Sequence, residues 1–283
     1  MSVKLVIDSA SDISKKEADK LGLIFLPLSV FFGEDKYLDS IDLSSEKFYE
    51  LLEQNDDLPK TSQVTPYEFG EKFKNLIDEG HDVVAITLSS KLSGTYSSAV
   101  IAAGEFDENR IFIVDSLNAT VSVRILIEYA ISLVEQGLSA KEIYTKLEEK
   151  KNKIRMFFVM ETLEYLYKGG RLSKLEAMAG NLLSVKPILT IKDGLVTRVA
   201  KARGYKKACQ MLVDIIEENG PIDNSMPYSF AFTGKDSSLL DQYKSNYSKF
   251  FDKDVNDIQV SPIGCTVGTH IGPGCIGVAY FIK

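Results

Sequence analysis

Residues 87–98 carry a dense set of hydroxyl groups that could bind a ligand or take part in chemistry. They follow the apolar run 81–86, which predicts a buried strand, and lead into an alanine-rich segment with helical character. A turn from a strand into a helix leaves unpaired N–H groups at the positive end of the helix dipole, which suits an anion. Ser93 and Thr95 add donors, and Gly94 permits close approach of the backbone to a ligand. The alternative is an ordinary helix cap formed by Ser93.

Two further groups of polar side chains are candidates for the same site. Asp8 ends the first predicted strand and precedes the hydroxyl-rich turn 9–12. An aspartate at such a position can be catalytic, ligate a metal or simply form the turn. Thr61 and Ser62 are free to contact a ligand because Thr65 already caps the next helix. Their alternative role is to form an ordinary polar loop.

The stretch 263–274 places four glycines around Thr269 and His270. This glycine content predicts a backbone wrapped tightly around something small. His270 could donate to a carboxylate or a phosphate near neutral pH, and its alternative role is structural.

The elements that must position these residues change in character near residue 150. Before it, buried strands alternate with helices, which predicts a parallel sheet covered on both faces. Its strands are predicted at 3–8, 23–32, 81–86 and 110–115. Ligands bind such sheets at the carboxyl ends of the strands, where the turns 9–12 and 89–95 belong.

The second half of the chain has an α+β pattern. A strand at 154–160 is followed by a hairpin whose turn is Asp193–Gly194, and then by a helix at 204–219. Further strands are predicted at 228–233, 255–263 and 277–282, with a helix at 236–247. The predicted fold class is therefore α/β, with an N-terminal parallel-sheet α/β/α domain and a C-terminal α+β domain.

The composition excludes several classes of function. Of the 283 residues, 45% are hydrophobic and 26% charged, as in a globular protein with a sizeable core. The net charge of -7 argues against a nucleic-acid-binding surface. Three widely spaced cysteines indicate a reducing cytoplasm and argue against disulfides and zinc-ligand pairs. The sequence has only two histidines, which argues against a histidine-based metal site. No basic segment followed by an apolar run begins the sequence, so we expect no secretory signal.

Eight short stretches, in the same order over nearly the whole chain, resemble the DegV family. They are VIDSASD (6–12), KTSQ (60–63), LSSKLSGTY (88–96), IVDS (113–116), KGGRLS (168–173), KPIL (186–189), ARG (202–204) and GTHIGPG (268–274). Members of that family include the fatty-acid-binding subunit of the bacterial fatty acid kinase.

The resemblance implies two domains with a fatty acid in a tunnel between them. Residues 1–152 would carry the carboxylate-binding loops, and residues 153–283 would cover the acyl chain. By position in the motifs, Thr61 or Ser62 together with Ser93 would hold the carboxylate, with His270 nearby. Together with Gly94, Thr95 and Thr269, which the residue patterns above suggest, the expected carboxylate site comprises Thr61, Ser62, Ser93, Gly94, Thr95, Thr269 and His270.

The resemblance also implies a partner. A separate kinase subunit would phosphorylate the carboxylate to an acyl phosphate for phospholipid synthesis, and Arg203 and, less directly, Arg171 would face that partner. The fatty acid would be the ligand, with no other cofactor and no metal, and transient contact with membrane lipid is compatible with this role. The sequence lacks the Gly-x-x-x-x-Gly-Lys-Ser/Thr phosphate loop, so we expect no ATP site of its own.

Two other functions remain open from the sequence. In a self-sufficient serine hydrolase, Ser93 would be the nucleophile and His270 its base, oriented by Asp8 or Asp115. The stretch around Ser93 lacks the Gly-x-Ser-x-Gly elbow of many such enzymes. In a lipid sensor, the bound ligand would instead change the contacts that the protein makes with others.

Overall fold

The computed structural model describes residues 2–172 and 184–283. Ser173, which ends the KGGRLS stretch, lies outside the described residues. The strands are β1 (Val3–Asp8), β2 (Ile24–Leu26), β3 (Ser29–Phe32), β4 (Asp35–Leu38), β5 (Lys60–Ser62), β6 (Asp82–Thr87), β7 (Ile111–Asp115), β8 (Ile154–Val159), β9 (Val185–Lys192), β10 (Leu195–Arg203), β11 (Ser229–Phe232), β12 (Gln259–Pro262) and β13 (Ile276–Phe281). The helices are α1 (Lys15–Lys20), α2 (Ser45–Gln54), α3 (Pro66–Asp78), α4 (Thr95–Ala103), α5 (Val121–Glu135), α6 (Ala140–Lys150), α7 (Glu164–Lys168), α8 (Tyr205–Glu218), α9 (Ser238–Tyr247) and α10 (Cys265–Ile271).

The first sheet is parallel, as the apolar runs predict. Its order is β2-β1-β6-β7, and every pairing in it is parallel. Its two faces are both buried: Val84 and Ile86 of β6 face the core that α5 and α6 complete, whereas Val83 and Ala85 face the core that α3 and α4 complete. Burial on both faces explains why the strands read as continuous apolar runs instead of alternating ones.

Helix caps follow the predicted pattern where the sequence signal is local. Thr65 accepts a hydrogen bond from the N–H of Glu68, whose carboxylate accepts one from the N–H of Thr65, and α3 begins at the proline between them. Ser139 and Glu142 form the same reciprocal pair at the start of α6. These bonds satisfy donors that the first helical turn cannot pair internally.

The prediction of one strand at 23–32 is wrong, because this run forms two strands in different sheets. β2 pairs with β1, whereas β3 pairs antiparallel with β4 and β5. Between them lies Pro27, which has no N–H for a ladder, and the N–H of Leu28 donates to the Ser9 hydroxyl (3.0 Å). Because β3 pairs with β5, Thr61 and Ser62 lie on a short strand and not in a loop.

The second large sheet has the order β10-β9-β8-β13-β11-β12 and is mostly antiparallel. The β9–β10 hairpin has the predicted turn, in which Asp193 (φ 51°) and Gly194 (φ 82°) both adopt the positive φ angles that two-residue hairpins need. All six strands follow residue 153. This sheet and the first one confirm the predicted fold class.

The stretch 263–274, whose glycines predicted a backbone wrapped tightly around something small, instead forms the helix α10 over most of its length. Gly268 lies where α10 crosses α2, and a Cβ atom at this position would stand 2.7 Å from the Tyr49 hydroxyl and 2.8 Å from the Phe48 ring. The glycine therefore serves close helix packing. Since α10 also packs against α7, β3 and β5, it joins the two halves of the chain.

Within the residues that the structure describes, none of the helices has both the length and the apolar character needed to cross a bilayer.

Candidate functional site

The loop after β6 is held in place by carboxylates at the ends of the two neighbouring strands. Asp8, at the end of β1, accepts a hydrogen bond from the N–H of Leu88 (2.8 Å), and Asp115, at the end of β7, accepts one from the N–H of Ser90 (3.1 Å). Burial raises the pKa of Asp8 to about 7, although its bonds from Leu88 and Ala10 oppose this rise. Asp8 is thus a structural residue that fixes the loop carrying Ser93.

Ser93 stands just before α4 but does not cap it, since the N-cap residue is Gly94 and no side chain caps this helix. Its hydroxyl accepts a long hydrogen bond from the N–H of Thr95 (3.3 Å) and lies 3.0 Å from the Thr95 hydroxyl. Ser93 and Gly94 line a cavity, whereas Thr95 is fully buried and does not line it. The buried Thr95 therefore fixes the position of the Ser93 hydroxyl by hydrogen bonding, and Ser93 itself lines the cavity.

Thr61 and His270 meet across the junction of β5 and α10. The Thr61 hydroxyl lies 2.9 Å from Nε2 of His270, within hydrogen-bond distance. Burial, together with the positive charge of Arg171, lowers the pKa of His270 to about 4. His270 is therefore neutral near pH 7, and both residues line the cavity.

Two aspartates from the N-terminal half fix the start of α10. Asp12 accepts a hydrogen bond from the N–H of Gly264 (2.8 Å), and Asp39 accepts from the N–H groups of Cys265 (3.2 Å) and Thr266 (3.0 Å). Carboxylates at a helix start satisfy its free donors and complement its dipole. They set the position of the helix that carries His270, although 226 residues separate Asp39 from Cys265 along the chain.

Arg171 contributes positive charge to the cavity wall. Its Nε donates to the carbonyl of Leu92 (3.2 Å) and its Nη1 to the carbonyl of Gly169 (2.6 Å). Among the described residues, no carboxylate forms an ion pair with it. Burial lowers its pKa from the usual arginine value. The sequence-based interpretation placed this arginine on a docking surface, whereas the structure places it beside His270 in the cavity.

The cavity has a volume of about 260 Å³ and is lined by both polar and apolar side chains. Its polar lining includes Thr61, Ser93, Arg171 and His270. Thr61 contacts His270, and Arg171 donates to the carbonyl of Leu92, the neighbour of Ser93. The remaining wall is mostly aliphatic and aromatic, formed by Leu28, Leu88, Leu92, Ala119, Met156, Phe158, Leu166, Ile191, Val196, Ile263, Val267 and Ile271. Such a cavity suits an amphipathic ligand with one small polar head, because most of its wall is apolar.

The predicted site residues fall into two groups. Those that line the cavity are Thr61, Ser62, Ser93, Gly94 and His270. Thr269 does not line it, since its hydroxyl donates to the carbonyl of Cys265 (2.9 Å) within α10. Arg203 lies exposed at the end of β10, outside the lining.

Sequence reasoning missed Gln63, Thr120 and Thr266, which also line the cavity. Gln63 follows Thr61 by two residues and so shares its side of an extended chain, a signal that could have found it. Its amide donates to the Ser98 hydroxyl (2.8 Å) and packs against Gly94, where a Cβ atom would stand 2.0 Å from Oε1. Thr120 and Thr266 lie in segments with no such signal.

The geometry lacks the contacts of a serine-hydrolase triad. Among the described residues, no hydrogen bond joins Ser93 to His270, whose Nε2 contacts Thr61. Asp8 and Asp115 accept from backbone N–H groups and not from the imidazole. The part of the chain that the structure describes also contains no cluster of three or more His, Cys, Asp or Glu side chains placed to hold a metal ion.

Comparison with known proteins agrees with the fold. The model of the DegV family matches residues 2–283. The chain belongs to the DegV family. A DegV domain-containing protein of Caldanaerobacter subterraneus subsp. tengcongensis is 36% identical over 278 residues, which cover 98% of each chain.

Solved structures of DegV relatives include fatty-acid-binding proteins. The structure of a DegV family protein from Thermus thermophilus, described with its fatty acid binding, has a TM-score of 0.89 at 30% identity and covers 100% of both chains. A stearic-acid-binding protein from Eubacterium ventriosum has a TM-score of 0.87 at 28% identity, over 100% of this chain and 99% of its own.

Proposed function

We propose that this protein binds a long-chain fatty acid, with the carboxylate at the polar side chains of the cavity and the acyl chain along its apolar wall. The observation that carries the proposal is that Arg171, which forms no ion pair among the described residues, lines a mostly apolar cavity together with Thr61 and Ser93. The fatty acids bound by the Thermus and Eubacterium relatives support the same ligand class.

The head group would be held by hydroxyls and by one cation. Thr61 and Ser93 donate to the carboxylate, while Ser62 and Gly94 form the adjoining wall. A carboxylate without partners is costly to bury, and charge-assisted hydrogen bonds offset that cost. His270 is neutral near pH 7, so Arg171 supplies the compensating positive charge.

Thr95 and Thr269 have supporting positions in this proposal. Thr95 holds the Ser93 hydroxyl, and Thr269 is bonded within the helix that carries His270.

The acyl chain would supply most of the affinity. Burial of each methylene contributes about 0.8 kcal/mol, so a chain of ~15 methylenes contributes about 12 kcal/mol before the costs of association and ordering. The head group then orients the ligand. No cofactor other than the fatty acid enters this proposal.

Native mass spectrometry of protein purified from a bacterial host tests the ligand class. We expect a bound mass that corresponds to a C14–C18 fatty acid, a range set by the roughly 15 methylenes considered above, and its loss after delipidation. Re-addition of palmitic acid should restore the bound mass, whereas hexadecanol, which has the same chain and no carboxylate, should bind more weakly. A protein that binds neither compound would contradict the proposal.

We further propose that the bound acid is presented to a separate kinase, which converts the carboxylate to an acyl phosphate for phospholipid synthesis. Arg203 supports a docking role because it is exposed beyond the cavity and makes no ion pair among the described residues. Its planar guanidinium suits an acidic partner. The protein would act in the cytoplasm, with transient contact with membrane lipid as the acid is loaded.

An assay of acyl phosphate formation with the cognate kinase and ATP tests this second proposal. Arg203→Ala should keep its bound fatty acid and form acyl phosphate more slowly than the wild type, while Lys141→Ala, which removes an exposed cation on α6, should not. Acyl phosphate formed without a kinase would argue for an enzyme, and equal rates for Arg203→Ala and the wild type would remove Arg203 from the docking surface.

A further inference from the structure

Thr266 is a buried cavity residue whose hydroxyl has no partner among the described residues. It lines the cavity and is 4% exposed. Thr120 is equally buried in the same wall, but its hydroxyl donates to the carboxylate of Asp12. Other buried hydroxyls among the described residues also lack a partner, but of these only that of Thr266 lines this cavity, where a bound ligand can supply the hydrogen bond.

The start of α10 offers the Thr266 hydroxyl no helical acceptor. A threonine in a helix often donates to the carbonyl four residues earlier, as Thr269 does. Thr266 is the second residue of α10, so the residue four before it, Pro262, lies on β12 and not in the helix. Thr266 makes no such bond, while its N–H is fixed by Asp39 (3.0 Å). The backbone is therefore anchored, and rotation about the Cα–Cβ bond exchanges the hydroxyl and the methyl group at the cavity wall.

The distance between Thr266 and the head-group site can be read from the helix. Thr266, Val267, His270 and Ile271 form one stripe of α10 along the cavity. Four residues of helix span about 6 Å, which corresponds to roughly five carbon–carbon bonds of an extended chain. A carboxylate held beside His270 therefore brings carbons C4 to C6 of the acyl chain level with Thr266.

We infer that Thr266 makes this site selective for fatty acids that carry an oxygen atom at C4 to C6, such as 5-hydroxy acids. The inference rests on the proposed fatty-acid function and specifies its substrate class. An unsubstituted acid leaves the Thr266 hydroxyl unpaired, whereas a hydroxyl at C5 pairs with it. Each ligand hydroxyl must lose water on entry, so only a partner at the matching depth compensates for that loss.

The test compares two positional isomers, because their hydroxyls have the same desolvation cost. Delipidated wild-type protein should bind 5-hydroxyhexadecanoic acid about three- to tenfold more tightly than 12-hydroxyhexadecanoic acid, measured by displacement of a fluorescent fatty acid. Thr266→Val, which replaces the hydroxyl by a methyl group, should bring this ratio close to one. Thr266→Ser keeps the hydroxyl and should keep the preference.

Each outcome decides the inference. An unchanged ratio in Thr266→Val, or no preference in the wild type, overturns the selectivity while leaving fatty acid binding intact. If neither isomer nor palmitic acid binds the wild type, the proposed function fails and the inference fails with it. Thr266→Ser also covers the case in which Thr266→Val does not fold, since loss of the preference in the serine variant would count against a hydroxyl-dependent contact.

Discussion

Two hydroxyl-rich turns follow parallel strands at the same edge of the first sheet, yet only one of them reaches the cavity. In the turn after β1, the Ser9 hydroxyl accepts from the N–H of Leu28 and the Ser11 hydroxyl donates to the carbonyl of Asp8. In the turn after β6, Ser93 lines the cavity. The first turn uses its polar groups to hold other segments, and the second presents one to a ligand. A hydroxyl-rich turn is therefore a candidate site only when one of its polar groups also faces a cavity.

The largest expected effect is a loss of fatty acid affinity when hydroxyls that line the cavity are removed. Thr61→Ala with Ser93→Ala removes two donors to one carboxylate, each worth roughly 1.5–3 kcal/mol, so fatty acid affinity should fall by about 10²- to 10⁴-fold in a displacement assay. The lipid-loaded form should also melt at a lower temperature. Ser97→Ala, an exposed hydroxyl on α4, is the matched control. Wild-type affinity in the double variant would contradict the head-group assignment.

The second prediction concerns Asp8, which accepts from Ala10 in the first turn and Leu88 in the second. Because its pKa is raised from 3.8 to about 7, the folded state keeps the proton to a higher pH than the unfolded state. Its contribution to stability is complete below pH 4 and lost as the pH rises through 7, by up to about 4 kcal/mol.

Urea denaturation between pH 4 and pH 8 measures this dependence. Asp8→Asn should make the decline in the free energy of unfolding over that range less steep, although Asp12, whose pKa burial also raises to about 7, still contributes to it. Asp57→Asn, at an exposed position, should leave the decline unchanged. If Asp8→Asn shows the same slope as the wild type, Asp8 is ionised to the same extent in the folded and the unfolded state.

The third prediction concerns Asp12, which stabilises the start of α10 and does not line the cavity. Asp12→Ala leaves the N–H of Gly264 and the hydroxyl of Thr120 without their acceptor, so the free energy of unfolding should fall by about 2–4 kcal/mol. Asp35→Ala, an exposed carboxylate on β4, should change it by less than about 0.5 kcal/mol. Equal stability of the two variants in urea would mean that Asp12 does not anchor α10.

The smallest effect is expected from Ser9, the counterpart of Ser93 in the first turn. Ser9→Ala leaves the buried N–H of Leu28 unpaired and should lower the free energy of unfolding by about 1–2 kcal/mol. Fatty acid affinity should remain at the wild-type level, since Ser9 does not line the cavity. Loss of affinity in a fully folded Ser9→Ala protein would remove the distinction between the two turns.

Features encoded by short stretches were predictable. The hairpin turn at Asp193–Gly194 and the cap at Thr65 depend on neighbouring residues, and both are present as predicted. The break within 23–32 was missed because an apolar run does not reveal that its two halves pair in different sheets. The helix at 265–271 was missed because its start is capped by Asp12 and Asp39, which are remote in sequence.

For the site, the sequence by itself determined which residue types were available: hydroxyls at Thr61 and Ser93, and an imidazole at His270. It also determined that the parallel strands end in turns, because apolar runs and caps are local signals. Only the tertiary structure decided that β5 and α10 bring Thr61 to His270, that Arg171 belongs to the cavity, and that the hydroxyl of Thr266 lacks a partner. Those facts depend on contacts between residues far apart in the chain, and packing alone selects which of the available polar groups remain unpaired.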